Sequence, residues 1–293
     1  MRLWAWGASD PGKKRERNED SYLVDPDTGV MAVADGMGGH QGGATASRMA
    51  VELLSKELAE ARGNFDAAAQ RQKAASVRTT EEMPAIDDPF GDRGATVPAF
   101  VDGATPPSVS AIVFSPALEV MRGIVRRASA AIYEASWVKP ELRGMGTTLT
   151  AVLVHAGKAH LVHAGDSRCY MFRDGHLRQL TEDHSWIAEQ LRSGTMSEAE
   201  AKASKFRHVI TKSIGFERDT VADLKSVPVS PGDCFLLCSD GMSNYVEHGE
   251  LERIIAMTWY RRLPQQLVAL ANDRGGDDNI TVVVGLVANA PPP

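Results

Sequence analysis

Two apolar runs, MAVAD at residues 31–35 and CFLLCSD at residues 234–240, each end on an aspartate that is followed by glycine. Such unbroken hydrophobicity is the pattern of a strand buried on both faces, because polar alternation disappears when neither face meets water. An Asp-Gly pair usually marks a turn. That reading serves for Asp102-Gly103 and for Asp174-Gly175, where a type I′ hairpin is expected between residues 169–173 and 176–180. Asp35 and Asp240 differ, since no matching strand follows two residues later. Each of these core strands instead carries a carboxylate to its tip, a place where hard cations such as Mg²⁺ or Mn²⁺ are commonly held.

The rest of the chain frames these two strands. Residues 3–8, 22–24, 147–155, 159–164 and 280–287 read as further strands. A helix follows the glycine cluster, with Ala46, Met49, Ala50, Leu53, Leu54 and Leu58 at helical spacing. Ser115-Pro116 opens another, whose stripe is Leu118, Met121, Val125, Ala128 and Ile132. Residues 182–193, 249–257 and 264–273 complete the helices. Strands in clusters with helices in pairs between them lack the βαβ rhythm of a parallel sheet and indicate an α+β fold with antiparallel sheets. We read one domain over residues 1–293, with a long flexible insertion at 62–112 rich in proline, a flap at 193–212 and a short Pro-rich tail at 289–293.

Charge and cysteine usage narrow the classes. Asp and Glu number 38 against 32 Lys and Arg, so the chain lacks the basic balance of a nucleic-acid binder. Three cysteines, Cys169, Cys234 and Cys238, sit in apolar runs and cannot form a disulfide framework, which points to reduced thiols and a cytoplasmic protein. Neither a signal peptide nor a membrane span is legible. The glycine cluster after Met37 lacks the Lys-Ser/Thr of a Walker loop. His160 and His163 lie three apart on one strand, so they face opposite sides and do not make a zinc pair. His184 reads as a structural histidine at a helix start.

Three more acidic elements stand at strand edges: Asn18-Glu19-Asp20, Gly165-Asp166-Ser167-Arg168 and Asp277-Asp278-Asn279. Carboxylates that converge repel one another unless cations neutralise them. At this point the sequence resembles a known family. Gly12-x-x-Arg15-x-x-Asn18-Glu19-Asp20, Asp35-Gly36-Met37-Gly38-Gly39, Gly146-Thr147-Thr148, Gly165-Asp166-Ser167-Arg168, Thr181-x-Asp183-His184-Ser185, Ser239-Asp240-Gly241 and Asp278-Asn279-Ile280-Thr281 look like the ordered motifs of the PPM family, the type 2C Ser/Thr protein phosphatases, in its bacterial branch.

The resemblance implies a four-layer α-β-β-α sandwich and two divalent cations, Mn²⁺ or Mg²⁺, with a third, weaker site. Asp35 would bridge both ions, Asp240 and Asp278 would complete one, and Glu19 with the Gly36 carbonyl would serve the other. Asp166 with Asp240 would hold the third, and Asp20 would orient water. Arg15 would be the phosphate fork, since a guanidinium matches two phosphate oxygens in a plane. The implied reaction is hydrolysis of phosphoserine and phosphothreonine by in-line attack of a water or hydroxide bridging the ions, in a monomer opposing a Ser/Thr kinase. Animal members carry histidine where this chain has Met37, which leaves the general acid open between His40 and solvent. A catalytically silent regulatory module and a metal-dependent nuclease or small-phosphoester hydrolase are the competing readings.

Overall fold

A computed structural model of the chain describes residues 1–38, 41–78, 115–206 and 209–292, with side chains 64–78 and 202–203 excepted. His40, Asp102 and residues 79–112 of the expected insertion lie outside the described residues. In chain order the first half comprises β1 (Arg2–Asp10), β2 (Ser21–Asp25), β3 (Val30–Ala34), β4 (Gly36–Met37), α1 (Gly42–Arg78), α2 (Pro116–Val138), a 3₁₀ turn (Pro140–Leu142), β5 (Gly146–Thr147) and β6 (Leu149–His155). The second half comprises β7 (Lys158–Ala164), β8 (Arg168–Arg173), β9 (His176–Gln179), α3 (Trp186–Arg192), α4 (Glu198–Ala203), β10 (Asp223–Pro228), β11 (Cys234–Cys238), α5 (Asp240–Ser243), α6 (His248–Met257), α7 (Leu263–Asp273) and β12 (Ile280–Ala288).

Two five-stranded sheets, β1-β12-β11-β8-β9 and β10-β7-β6-β3-β2, pack face to face, and every pairing within them is antiparallel. The strand period of two sorts the apolar residues into layers. On β3, Val30, Ala32 and Ala34 pack toward α1 and α2, while Met31 and Val33 enter the layer between the sheets. On β11, Cys234, Leu236 and Cys238 face α6 and α7, and Phe235 and Leu237 face inward. Both runs are therefore apolar throughout because both faces are covered, giving the expected α-β-β-α sandwich. Phe235 is fully buried in the middle layer, where truncation to alanine costs about 3–5 kcal/mol. At Gly285 an added methyl would stand 2.6 Å from Met31 Sδ and 2.8 Å from Leu3 Cδ1, so the sheets approach closely there.

Antiparallel pairing also sorts the strand ends. The C-terminal tips of β3, β7 and β11 and the starts of β2, β8 and β12 all lie at one end of the sandwich. At the opposite end the chain turns in two-residue hairpins: Ala156-Gly157 with φ 49° and 76°, and Asp174-Gly175 with φ 52° and 82°. Positive φ at both central residues is the type I′ geometry expected for Asp174-Gly175.

Four elements depart from the sequence expectation. Helix α1 continues to Arg78, past residue 62 where the insertion was expected to begin, because the Ala- and Gln-rich stretch keeps intrinsic helix propensity after the apolar stripe has ended. Helix α3 begins at Trp186, not at residue 182: the Ser185 side chain caps it by accepting from Ala188 N, and the backbone before it bonds to residues 165 and 211 instead. Strand β10 was missed because Lys225, Ser226 and Pro228 break its pattern, as an edge strand tolerates. The segment expected as a flap contains α4, closed by a reciprocal capping box between Ser197 and Glu200.

Candidate metal and phosphate site

At the acidic end of the sandwich a cleft of about 520 Å³ is lined by Arg15, Glu19, Asp35, Gly36, Met37, Asp166, Ile210, Asp240 and Asp278, among others. Asp35 follows β3 directly and its backbone is clamped. Its N–H donates to Thr148 Oγ1 at 2.9 Å, and its carbonyl accepts from Thr148 N and Thr147 Oγ1, each at 2.9 Å. The next two residues pair as β4 with β5. Gly36 threads between the Glu19 and Gly43 carbonyls, where any Cβ would collide with both.

The other acids arrive on separate elements. Asp20 immediately precedes β2, and its Oδ2 accepts from Ser239 Oγ at 2.8 Å. Asp240 starts α5 directly after β11, and Asp278 precedes β12. Asp166 stands in the turn between β7 and β8, and Glu19 lies against Gly43 at the start of α1, where a Cβ would strike Glu19 Oε2. Arg15 sits half-exposed on the rim and donates from Nη2 to Asp278 Oδ2 at 2.8 Å. The structure thus brings together the eight residues singled out in sequence.

Electrostatics confirm the convergence. Burial, reinforced by the charges of Asp20, Asp240, Asp166 and Asp278, pushes the Asp35 carboxyl well above its usual range. Asp20 is pushed up to about 7, first by burial, against hydrogen bonds from Thr281 and Ser239 that lower it. Asp166 rises to about 8 through burial and the charges of Asp240 and Asp183. The Oδ1 atoms of Asp20 and Asp166 are buried and accept no hydrogen bond among the described residues. Orphaned, mutually repelling carboxylate oxygens at hard-cation donor positions fit divalent ions. Among the described residues no three His, Cys, Asp or Glu side chains stand grouped so that they could hold a metal ion as they are placed.

Sequence reasoning missed the residues that hold this arrangement. Asn279 is buried and works as a hub: its Oδ1 accepts from Glu19 N at 2.8 Å, and its Nδ2 donates to Pro11 O and Arg17 O, both at 2.9 Å. One amide side chain thereby fixes the loop that carries Arg15 and Glu19. Ser239 Oγ links Asp20 to Thr281 N at 2.9 Å. Their only sequence signal is membership in the acidic motifs. His160 and His163 turn to opposite faces, His160 toward Ser226 and His163 toward Thr150.

Comparison with known proteins agrees with the geometry. The sequence profile described as Protein phosphatase 2C matches residues 12–273. The serine/threonine phosphatase stp of Listeria monocytogenes is 32% identical over 282 residues, covering 94% of this chain and 92% of that protein. The serine/threonine protein phosphatase PstP of Mycobacterium tuberculosis is 31% identical over 282 residues, covering 96% of this chain and 44% of that protein. The crystal structure of Mycobacterium tuberculosis PstP/Ppp superposes with a TM-score of 0.74 at 29% identity, covering 99% of this chain and 100% of that one. The PstP catalytic domain in complex with two manganese ions gives 0.73 at 29% identity, covering 98% and 99%.

Proposed function

This chain belongs to the protein phosphatase 2C family, and on that premise we propose that it is a metal-dependent protein phosphatase acting on phosphoserine and phosphothreonine. It works as a single phosphatase domain and opposes a Ser/Thr kinase of its own cell. We assign it to the cytoplasm as a monomer. No helix among the described residues is long and apolar enough to cross a membrane, and its three buried thiols suit a reducing compartment.

The observation that carries the reading is the meeting of Asp35, Asp166, Asp240 and Asp278 in one cleft with Asp20 buried beside them, where neighbouring acids raise the cost of ionising Asp20, Asp35 and Asp166. Asp35 would bridge two ions, Asp240 and Asp278 would complete one, and Glu19 with the Gly36 carbonyl would serve the other. Asp166 with Asp240 would hold a third. A donor set of carboxylates and a backbone carbonyl suits Mg²⁺ or Mn²⁺, which keep several waters of their own. When bound, two such ions lower the pKa of a water between them and neutralise phosphoryl oxygens.

The protein's own groups supply the rest. Arg15 keeps its charge, its pKa raised by the hydrogen bond to Asp278, and that single bond leaves further N–H donors for two phosphate oxygens. Asp20, held by Ser239, offers its second oxygen to orient the attacking water. Met37 and Ile210 form apolar parts of the wall. Water attacks phosphorus directly in this reading, and the three cysteines do not compete: burial pushes the Cys238 thiol up to about 12, and Cys169 and Cys234 are raised further.

Hydrolysis of a phosphothreonine peptide with added Mn²⁺, run beside EDTA and an Asp240→Asn protein, tests the proposal. Turnover that requires the metal and is lost in the variant supports it. A folded, metal-supplied protein without turnover on any phosphopeptide would refute it in favour of a silent regulatory module.

A further inference from the structure

Two imidazoles lie behind the turn that carries Asp166. His163, near the end of β7, and His184, just before α3, stack with ring centroids 4.7 Å apart and planes 24° apart. Both are buried. His163 Nε2 stands 3.0 Å from the Glu182 carbonyl, which can only accept, so the proton is on Nε2 and Nδ1 accepts from Thr150 Oγ1 at 2.9 Å.

The same logic fixes His184. Gly165 N–H can only donate, and it points to His184 Nδ1 at 3.1 Å, so Nδ1 carries no proton. Nε2–H then donates to Asp223 Oδ2 at 3.1 Å. The backbone N–H of His184 donates to the Gly165 carbonyl at 2.8 Å. One residue therefore grips Gly165 through both its N–H and its C=O. On the other side of Gly165 stands Thr148, whose Cβ would lie 2.5 Å from an added methyl, and Gly165 itself has φ +117°. Asp166 follows directly, with its Oδ1 buried and orphaned. A second set of contacts reaches outward: Asp223 Oδ1 accepts from Lys212 Nζ at 2.7 Å, and Thr211 N donates to the His184 carbonyl at 2.8 Å. Residues 211–212 adjoin Ile210 in the wall of the cleft.

We propose that His184 is a positioning residue for Asp166: by accepting from Gly165 N through Nδ1 it holds the turn so that the Asp166 carboxylate points at its ion, and through Nε2 and Asp223 it ties that turn to the cleft wall at residues 210–212. The inference rests on the reading that Asp166 holds a divalent ion. It separates two bonds that a simple deletion would confuse. Asparagine places a carbonyl where Nδ1 stands and keeps the bond from Gly165 without reaching Asp223. Glutamine places its terminal amide near Nε2 and keeps Asp223 without serving Gly165.

The test compares His184→Asn, His184→Gln and Asp166→Asn with the wild type. It reads Mn²⁺ binding by calorimetry without substrate, melting temperature in EDTA, and kcat on a phosphopeptide. The expected result is near-native Mn²⁺ binding in His184→Asn and a loss of about 10–100-fold in affinity for one ion in His184→Gln. Equal Mn²⁺ binding by the two variants, both folded in EDTA, overturns the proposal. Unchanged Mn²⁺ stoichiometry in Asp166→Asn refutes instead the reading on which it rests. Should His184→Gln fail to fold, the ¹⁵N spectrum of the metal-free wild type still decides: an Nε2–H tautomer of His184 supports the assignment, and an Nδ1–H tautomer ends it.

Discussion

Strand β11 has an aspartate near each end, and the two ends of the sandwich treat theirs in opposite ways. At the hairpin end Asp233 is almost fully buried and fully answered, with Arg173 Nε at 2.7 Å, Arg173 Nη2 at 2.6 Å and Ser230 N at 2.7 Å. At the cleft end Asp240 stands among Asp20, Asp35 and Asp166, and burial with mutual repulsion drives those carboxyls up. A buried charge that brings its own counter-ion on the chain serves structure. Buried carboxylates that outnumber the cations beside them destabilise the metal-free fold, and a cation from outside relieves that repulsion. The difference teaches where to look in a fold of this kind: at buried acids whose neighbouring charges are largely other acids.

The sharpest way to break this contrast is Asp35→Asn. It should lower kcat on the order of 10³-fold, as loss of an electrostatic centre at the reacting group does, yet raise the melting temperature in EDTA by removing a repelled buried charge. A lower melting temperature would mean that the cleft acids stabilise the metal-free protein after all. Asp233→Asn should do the reverse, leaving kcat unchanged and lowering stability by about 3 kcal/mol, the low end of the usual range because Arg173 is one-third exposed. Denaturant melts measure it.

A pH scan sharpens the comparison because lowered imidazoles and raised cleft acids move stability in opposite directions below pH 7. Burial lowers both His160 and His163 to about 4, whereas the unfolded chain protonates them near 6.5. Between those values the unfolded state binds more protons, so their contribution is whole above 6.5 and is lost as pH falls toward 4. The slope is at most roughly 1.4 kcal/mol per pH unit for each, and His163→Asn should flatten it in urea melts at pH 7 and pH 5. The smallest effect belongs to the hairpin end. Gly175→Ala meets no atom within 4 Å, so it should cost only the strain of a positive φ, about 1 kcal/mol, with kcat untouched.

Much of this arrangement was readable in the chain because it depends on periodicity. MAVAD and CFLLCSD announce strands covered on both faces, and each brings its acid to the cleft as expected. The Leu118, Met121, Val125, Ala128 and Ile132 stripe is buried along α2. What resisted reading depends on partners distant in sequence. Asn279 serves a loop more than two hundred residues earlier, and nothing near it in the chain announces Pro11 or Glu19 as partners. Asp223 lies in a strand too polar to recognise, so the bond that orients His184 was hidden with it. The helix expected from residue 182 was shortened by the same tertiary bonds, which outweigh local propensity.

The pairing of β1 with β12 over nine residue pairs, from Arg2 with Ala288 to Asp10 with Ile280, has a consequence for assembly. Strand β12 is the wedge between β1 and β11, and it arrives with Asp278 and Asn279 at its head. During synthesis β1 must wait for β12, with its neighbouring edge unfilled until residues 280–288 have left the ribosome. Such long-range closure slows folding. It also means that a nascent chain has neither the full acid set nor the hub that fixes Arg15, so competence switches on in a single late event.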